Sequence, residues 1–198
     1  MAETSELLLR YAREGDVESL SALVQESSGW LTGFIRGLVP SEAEAEDVFQ
    51  EVWVRVIKSC GSYRGGSVRT YLVRVARSVV IDRFRRSGRL APILDAENEE
   101  GESMAETLVA DDPSPDEAFE TAATAEEVRL AVRELPKGQR EVVMMRIEGE
   151  LAFREIAEVM GIPLGTALTW MRAATLKLRE RLGVKDEKNS WTIGQRRV

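Results

Sequence analysis

Residues 63–89 read YRGGSVRTYLVRVARSVVIDRFRRSGR, and the rest of the chain is organised around this stretch. It holds eight arginines (Arg64, Arg69, Arg74, Arg77, Arg83, Arg85, Arg86 and Arg89) against one acid, Asp82, in a protein whose net charge is −7. On a helix, Val68, Leu72, Val75, Ala76 and Val79 fall on one side, at the spacing a packed helix needs. Arg74, Arg77, Ser78 and Arg85 fall on the other, with Tyr71 and Phe84 flanking them. Gly65-Gly66 sets off a short loop before it. A face that only has to stay wet interleaves Glu with its cations. This one sets cations of a single sign beside aromatic rings, as single-stranded nucleic acid requires: guanidinium groups for phosphates, rings for bases.

Composition narrows the remaining classes. The 198 residues allow one domain or two small ones. Charge alternates along the chain. Residues 1–63 carry 5 basic and 11 acidic side chains, residues 64–89 carry 8 and 1, residues 90–127 none and 13, and residues 128–198 carry 14 and 9. The basic segments, not the net charge, are the footprint that a polyanion would meet. No apolar run has the length of a membrane span and the first residues lack a signal-peptide core, so a cytoplasmic protein without membrane insertion is expected. Cys60 is the single cysteine and histidine is absent. That excludes an internal disulfide and leaves nucleophilic or metal-assisted catalysis without a carrier. The expectation is a binding protein, not an enzyme, with no metal and no cofactor.

Outward from the basic stretch, residues 6–24 read as two helices meeting near Gly15-Asp16, with Asp16 as N-cap and Leu20 and Leu23 facing a core. Residues 29–39 read as a further apolar helix, stopped by Pro40 and weakened by its glycines. Ser41 caps a longer helix with Glu44 three residues on. Its apolar stripe is Val48, Val52 and Val56 with Phe49 or Trp53, while Asp47, Gln50, Glu51 and Arg55 lie mostly off that stripe. Residues 90–125 hold 11 acids, no base and several prolines, the composition of a linker. A helix over 122–135 ends at Pro136. Residues 153–160, Gly161 and the run from Pro163 to Leu182 then have the layout of a helix-turn-helix. Its second helix places Ala167, Met171, Ala174, Leu178 and Leu182 inward, leaving Thr166, Thr169, Arg172, Ala173 and Leu176 outward.

Three strings carry a resemblance. YRGGSVRTYLVRVARSVVIDRFRR, AEDVFQEVWVRV over 45–56 and the segment from Leu135 to Gly183 closely resemble the extracytoplasmic-function (ECF) group of sigma-70 family transcription initiation factors. The resemblance implies that the 63–89 stretch melts and reads the minus-ten promoter element. Its contacts to duplex DNA and the non-template single strand would come from Arg64, Arg69, Tyr71, Arg74, Arg77, Ser78, Arg85 and Arg86. It implies that the 41–58 helix docks on the clamp helices of the largest subunit of core RNA polymerase through Asp47, Gln50, Glu51 and Arg55. It implies that the helix-turn-helix reads the minus-thirty-five element through Arg154, Thr166, Thr169, Arg172 and Lys177. An inhibitory anti-sigma factor is the further partner it implies. Departures accompany the match. Tyr71 and Ser78 stand where the family usually has Trp and Asn. Leu168, Trp170 and Ala173 stand at usually basic positions, and Thr175 near another. Ala152 replaces a usual Ser cap. Arg140, Arg154, Arg172, Lys177 and Arg179 remain as cations, and Trp170 reads as packing.

The expected fold is all-α. A helical bundle over 1–89 (sigma region 2) and a helix-turn-helix domain over 124–183 (sigma region 4) are joined by an acidic linker over 90–123 and followed by a polar tail over 184–198. The expected function is that of an ECF sigma factor. Two other readings stay open: a free-standing helix-turn-helix regulator, and a polymerase-binding protein with degenerate promoter recognition.

Overall fold

The computed structural model describes residues 2–88 and 124–183. The expected linker and tail lie outside the described residues. The fold is all-α, with no strand among the described residues. The helices are α1 (Ala2–Glu14), α2 (Val17–Leu38), α3 (Glu42–Ser59), α4 (Val68–Arg86), α5 (Ala125–Glu134), α6 (Lys137–Ile147), α7 (Phe153–Met160) and α8 (Leu164–Arg181), with a 3-10 turn at Cys60–Ser62.

Side-chain caps set the helix starts. Asp16, Ser41 and Ser67 accept from the backbone N–H groups of Glu18, Glu44 and Thr70. Thr124 and Glu127 form a reciprocal capping box. Ala152 offers no side-chain cap, but the Glu155 carboxylate still accepts from its backbone N–H at 2.9 Å. Gly161 closes α7 in the left-handed region, at φ 70°, and so makes the turn of the helix-turn-helix.

In the N-terminal half, α1 packs on α2, and α3 packs between α2 and α4. In the C-terminal half, α8 lies against α5, α6 and α7. The two halves touch: α5 and α6 lie on α2, and α7 lies on α4.

Two expectations are corrected here. Residues 29–39 are not a separate helix, because α2 runs unbroken from Val17 to Leu38. One buried stripe of Leu23, Leu31, Phe34, Ile35 and Leu38 carries it through Ser27, Ser28 and Gly29, since packing outweighs local propensity. In α4, Val73, Val80 and Phe84 join the core and Val75 is only partly buried. The helix is packed by α3 on one side and α2 on the other, so its buried face is wider than a single stripe. Phe84 is therefore core and does not flank the arginines.

The glycines of α2 have a physical reason. A Cβ at Gly33 would collide with the Glu148 carboxylate, and one at Gly37 with the Met144 side chain. Gly in a helix interior costs roughly 0.5–1 kcal/mol relative to Ala. Here it opens a groove, one turn long, in which α6 and the residue just beyond it lie on α2.

Candidate nucleic-acid and polymerase interfaces

The loop before α4 is held at both ends. Gly65 and Gly66 adopt φ values of 98° and 97°, where a side chain would be strained. The buried Tyr63 donates its hydroxyl to the Gly66 carbonyl at 2.7 Å, and Ser5 of α1 donates to the same carbonyl at 2.7 Å. The Tyr63 and Tyr71 rings pack at 5.2 Å, and the Tyr71 hydroxyl shares a hydrogen bond of 2.8 Å with Ser59. Tyr71 is thus half-buried in the wall of this loop. Arg64 is exposed and folds back on the Gly61 carbonyl at 2.5 Å.

Along α4 the outward cations meet carboxylates of the C-terminal half. Arg69 pairs with Glu150 and stacks over the Trp30 ring at 4.9 Å. Thr70 donates to Glu155 at 2.5 Å, and Arg74 pairs with Glu158 at 2.9 Å. Arg77 donates through Nε to Glu141 at 2.7 Å, with the two side chains only 18% and 3% exposed. Burial pushes the Glu141 carboxyl up to about 7, even though Arg77 and Arg140 pull it down. Ser78 and Arg85 are exposed and line a cleft with Arg74, Arg77 and Val159 of α7. Arg55 also donates to the Ser78 hydroxyl at 3.0 Å.

α3 and α4 are tied by a ladder of charge. Arg83 pairs with Asp47 at 2.6 Å, Arg86 with Glu51 at 2.8 Å, and Arg55 with Asp82 at 2.7 Å. The expected polymerase-binding residues Asp47, Glu51 and Arg55 are therefore brought together on one edge, and Gln50 is exposed beside them. The structure adds Val54 and Ile57, 49% and 43% exposed. With Asp47, Gln50, Glu51 and Lys58 they follow the 3.6-residue period, so one face of α3 offers an apolar centre with a polar rim. That spacing was available in the sequence.

On the helix-turn-helix, Arg154, Arg172 and Lys177 are exposed and Thr166 is half-buried. The Thr169 hydroxyl is turned back on the Gly165 carbonyl at 2.8 Å. Trp170 packs against Gly138, where a Cβ would collide with its ring, so it is packing as expected. Arg140 is not an outward cation. It binds the Arg133 carbonyl and, at 3.0 Å, the Leu135 carbonyl, closing the C-terminal end of α5. Desolvation and the neighbouring Arg133 lower its pKa from the usual arginine value.

The family model for sigma-70 region 2 matches residues 23–90, and that for sigma-70 region 4 matches residues 125–178. The ECF RNA polymerase sigma factor SigW of Bacillus subtilis is 27% identical over 177 residues, 88% of this chain and 94% of that protein. The RNA polymerase sigma-H factor of Pseudomonas aeruginosa is 27% identical over 182 residues, 91% and 92% of the two chains. This chain belongs to the ECF group of the sigma-70 family. The fold is shared with the sigma factor RpoE of Bartonella quintana, solved with the anti-sigma factor NepR (TM-score 0.65, 18% identity, 85% of this chain and 99% of that one). It is shared also with CnrH, solved with the cytosolic domain of CnrY (TM-score 0.63, 19% identity, 92% and 99%).

As a sigma factor the protein directs core RNA polymerase to promoters for transcription initiation. No helix among the described residues is long and apolar enough to cross a membrane. Sequence reasoning missed the carboxylates of Glu141, Glu150, Glu155 and Glu158, which stand on the arginine face. Their only local signal is that Glu155 and Glu158 share one side of a short helix, which does not name a partner more than eighty residues away.

Proposed function

We propose that this sigma factor opens the minus-ten element with the loop 63–67 and α4, and that Arg64, Arg69, Tyr71, Arg74, Arg77, Ser78, Arg85 and Arg86 contact the DNA. The observation that carries this is the pinned Gly65-Gly66 loop with Tyr71 in its wall, set at the start of the arginine face. Strand separation by this route needs stacking and phosphate contacts and no covalent step by the chain. The α3 face of Asp47, Gln50, Glu51, Val54 and Arg55 docks on the clamp helices of core polymerase. The helix-turn-helix, with Arg154, Thr166, Thr169, Arg172 and Lys177, reads the minus-thirty-five element. Residues 1–89 and 124–183 act as the two binding domains, the acidic residues 90–123 as their tether and 184–198 as a tail. The protein works in the cytoplasm under the control of an anti-sigma factor, as the RpoE of Bartonella quintana is bound by the anti-sigma factor NepR.

Run-off transcription with purified core polymerase on fragments of the source genome tests the reading. Permanganate footprints should show the opened strand near the start site. Core polymerase that is retained by the protein but initiates nowhere would favour the other reading, a polymerase-binding protein with degenerate promoter recognition. The shortage of cations on α8 is the feature that supports that alternative.

A further inference from the structure

We infer that Arg55 is a positioning residue for the promoter contact: it fixes Ser78 as a hydrogen-bond donor, and Ser78 then takes a backbone phosphate of the minus-ten strand, not a base edge. This rests on the reading of α4 as the promoter-binding helix. Ser78 and Asp82 stand one turn apart on α4, and the Arg55 guanidinium reaches both from α3. Its Nη1 donates to the Ser78 hydroxyl oxygen at 3.0 Å and to the Asp82 carboxylate at 2.7 Å, while Nη2 donates to Glu51 at 3.5 Å. Glu51 is held in turn by Arg86 at 2.8 Å. A carboxylate on each side thus fixes the guanidinium fork.

The chemistry of a guanidinium decides what Ser78 can do. It has N–H donors and no acceptor, and it keeps its charge. In this contact the Ser78 oxygen therefore accepts, and its proton is left to donate elsewhere. Other helical hydroxyls spend that proton on the carbonyl four residues back, as Ser59, Thr169 and Thr175 do. The exposed Ser78 makes no such bond among the described residues. Accepting from a cation also strengthens the O–H as a donor and weakens the remaining lone pair. The cleft around Ser78 suits the same kind of group. Arg74, Arg77 and Arg85 line it, and each brings only donors. Asp82, the one acid of α4, lines it too, but Arg55 neutralises that carboxylate. Arg55 thus orients the hydroxyl and offsets the one charge of α4 that would repel a phosphate. Base edges set donors and acceptors side by side, and an amide such as that of Asn can match both. A set of donors alone cannot. It matches a phosphodiester, whose oxygens only accept.

The test uses the full chain with core polymerase, on a promoter recovered by run-off transcription. Non-template phosphates of the minus-ten element are replaced one at a time by methylphosphonates, and each base is varied in turn. Opening is compared with the parent promoter for the same protein, so a change in polymerase retention cancels. In Ser78→Ala the methylphosphonate penalty at one phosphate should be smaller than in the wild type by about tenfold, the range of a hydrogen bond to a charged group. Base preferences should be unchanged at every position. Arg55→Met should lose the same penalty, because the freed hydroxyl turns back on the Arg74 carbonyl and Asp82 is left uncompensated. Arg55→Lys, which keeps a cation and a donor, should restore most of it. Surface pairs contribute little to stability, so helical content by circular dichroism should persist in all three. Ser78→Ala alters an exposed side chain and can overturn the proposal by itself: penalties that match the wild type at every phosphate do so, and a base preference shifted at one position would make Ser78 a base reader. Wild-type penalties in Arg55→Met overturn it as well. The reading of α4 as the promoter helix fails differently, if the wild type opens every methylphosphonate promoter as readily as the parent and the Tyr71→Ala and Arg74→Ala footprints stay unchanged.

Discussion

α4 carries six arginines and shows most of its promoter-facing side to the protein's own carboxylates; α8 carries four cations, of which only Arg172 lies in its first half, and shows its outward side to solvent. Strength and access are thus opposed. Phosphate contacts supply most sequence-independent affinity for DNA, and this chain keeps its densest set covered while the open surface is the weaker one. The same opposition appears at the starts of the two helices. The loop before α4 is pinned by Tyr63 and Ser5, whereas on α8 the hydroxyl of the exposed Thr169 is spent on its own backbone. Under the proposed function, initiation specificity rests mainly on the minus-ten side and the helix-turn-helix takes a supporting part.

The largest expected effect is on α4. Tyr71→Ala and Arg74→Ala should lower strand opening more than they lower association with polymerase. A stacked base is worth roughly 1–3 kcal/mol, so the open fraction should fall by about five- to 150-fold for Tyr71→Ala. Arg77→Ala has a double consequence. It removes a phosphate contact, and it leaves Glu141 buried without its partner, a change that costs about 3–5 kcal/mol in buried pairs and should part the two halves. Permanganate footprints identical to wild type in all three variants would remove α4 from the promoter.

Next comes α3. Reversing Asp47 and Glu51 to Lys together should cut co-purification with core polymerase by about tenfold or more, and Val54→Asp should do the same from the centre of the face. The α3–α4 ladder is also broken by the reversal, but surface pairs contribute only about 0.2–1 kcal/mol each. Helical content should therefore persist. Undiminished retention on core polymerase in both variants would move the docking surface elsewhere.

Much of this was legible in the residue order, for reasons that are local. The Asp16 and Ser41 caps, the Gly161 turn and the core stripe of α8 depend on side chains within four residues of each other. The candidate polymerase and promoter residues were named because their types and spacing resemble a family pattern. What was hidden is non-local. Gly33 and Gly37 looked like weaknesses of a short helix, and only Glu148 and Met144, over a hundred residues on, explain them. Arg140 looked like a DNA cation until the carbonyls ending α5 claimed it. Glu141 reads as one more acid in a helix, because nothing near it in sequence says that Arg77 will cover it.

A smaller effect concerns pH. Burial pushes Glu141 up to about 7 in the folded chain, against an ordinary 4.5. The groups facing it are Arg77 from α4 and Arg140 beside it on α6, and burial outweighs both. A carboxyl whose pKa is raised by burial in the folded chain binds its proton more tightly there. Its support for the folded state is complete below about pH 4.5 and is lost as pH rises through about 7. Glu148, also raised by burial, works in the same direction. Stability against denaturant should therefore decline between mildly acid and neutral pH. Glu141→Gln should flatten most of that dependence, and a variant with the wild-type profile would show that this carboxyl does not govern it.

The smallest effect tests the weak side of the comparison. Arg172 is the one exposed cation in the first half of α8, while Arg181 at its end is engaged with Glu134 at 2.8 Å. If α8 contributes mainly through this residue, Arg172→Ala in the polymerase complex should weaken promoter binding nearly uniformly across sequences. It should also reduce the slope of log affinity against log salt by about one. The leucine at 168 and the tryptophan at 170, where the family usually places cations, leave little else on that face to lose. Thr166 and the backbone N–H groups at the start of α8 offer another route, since a helix N-terminus can hold a phosphate by itself. In that case the slope stays near its wild-type value after Arg172→Ala, and the loss follows Thr166→Val instead. A steep slope that survives both substitutions would mean that α8 holds DNA through more contacts than its side chains advertise, and the contrast with α4 would have to be drawn from access alone.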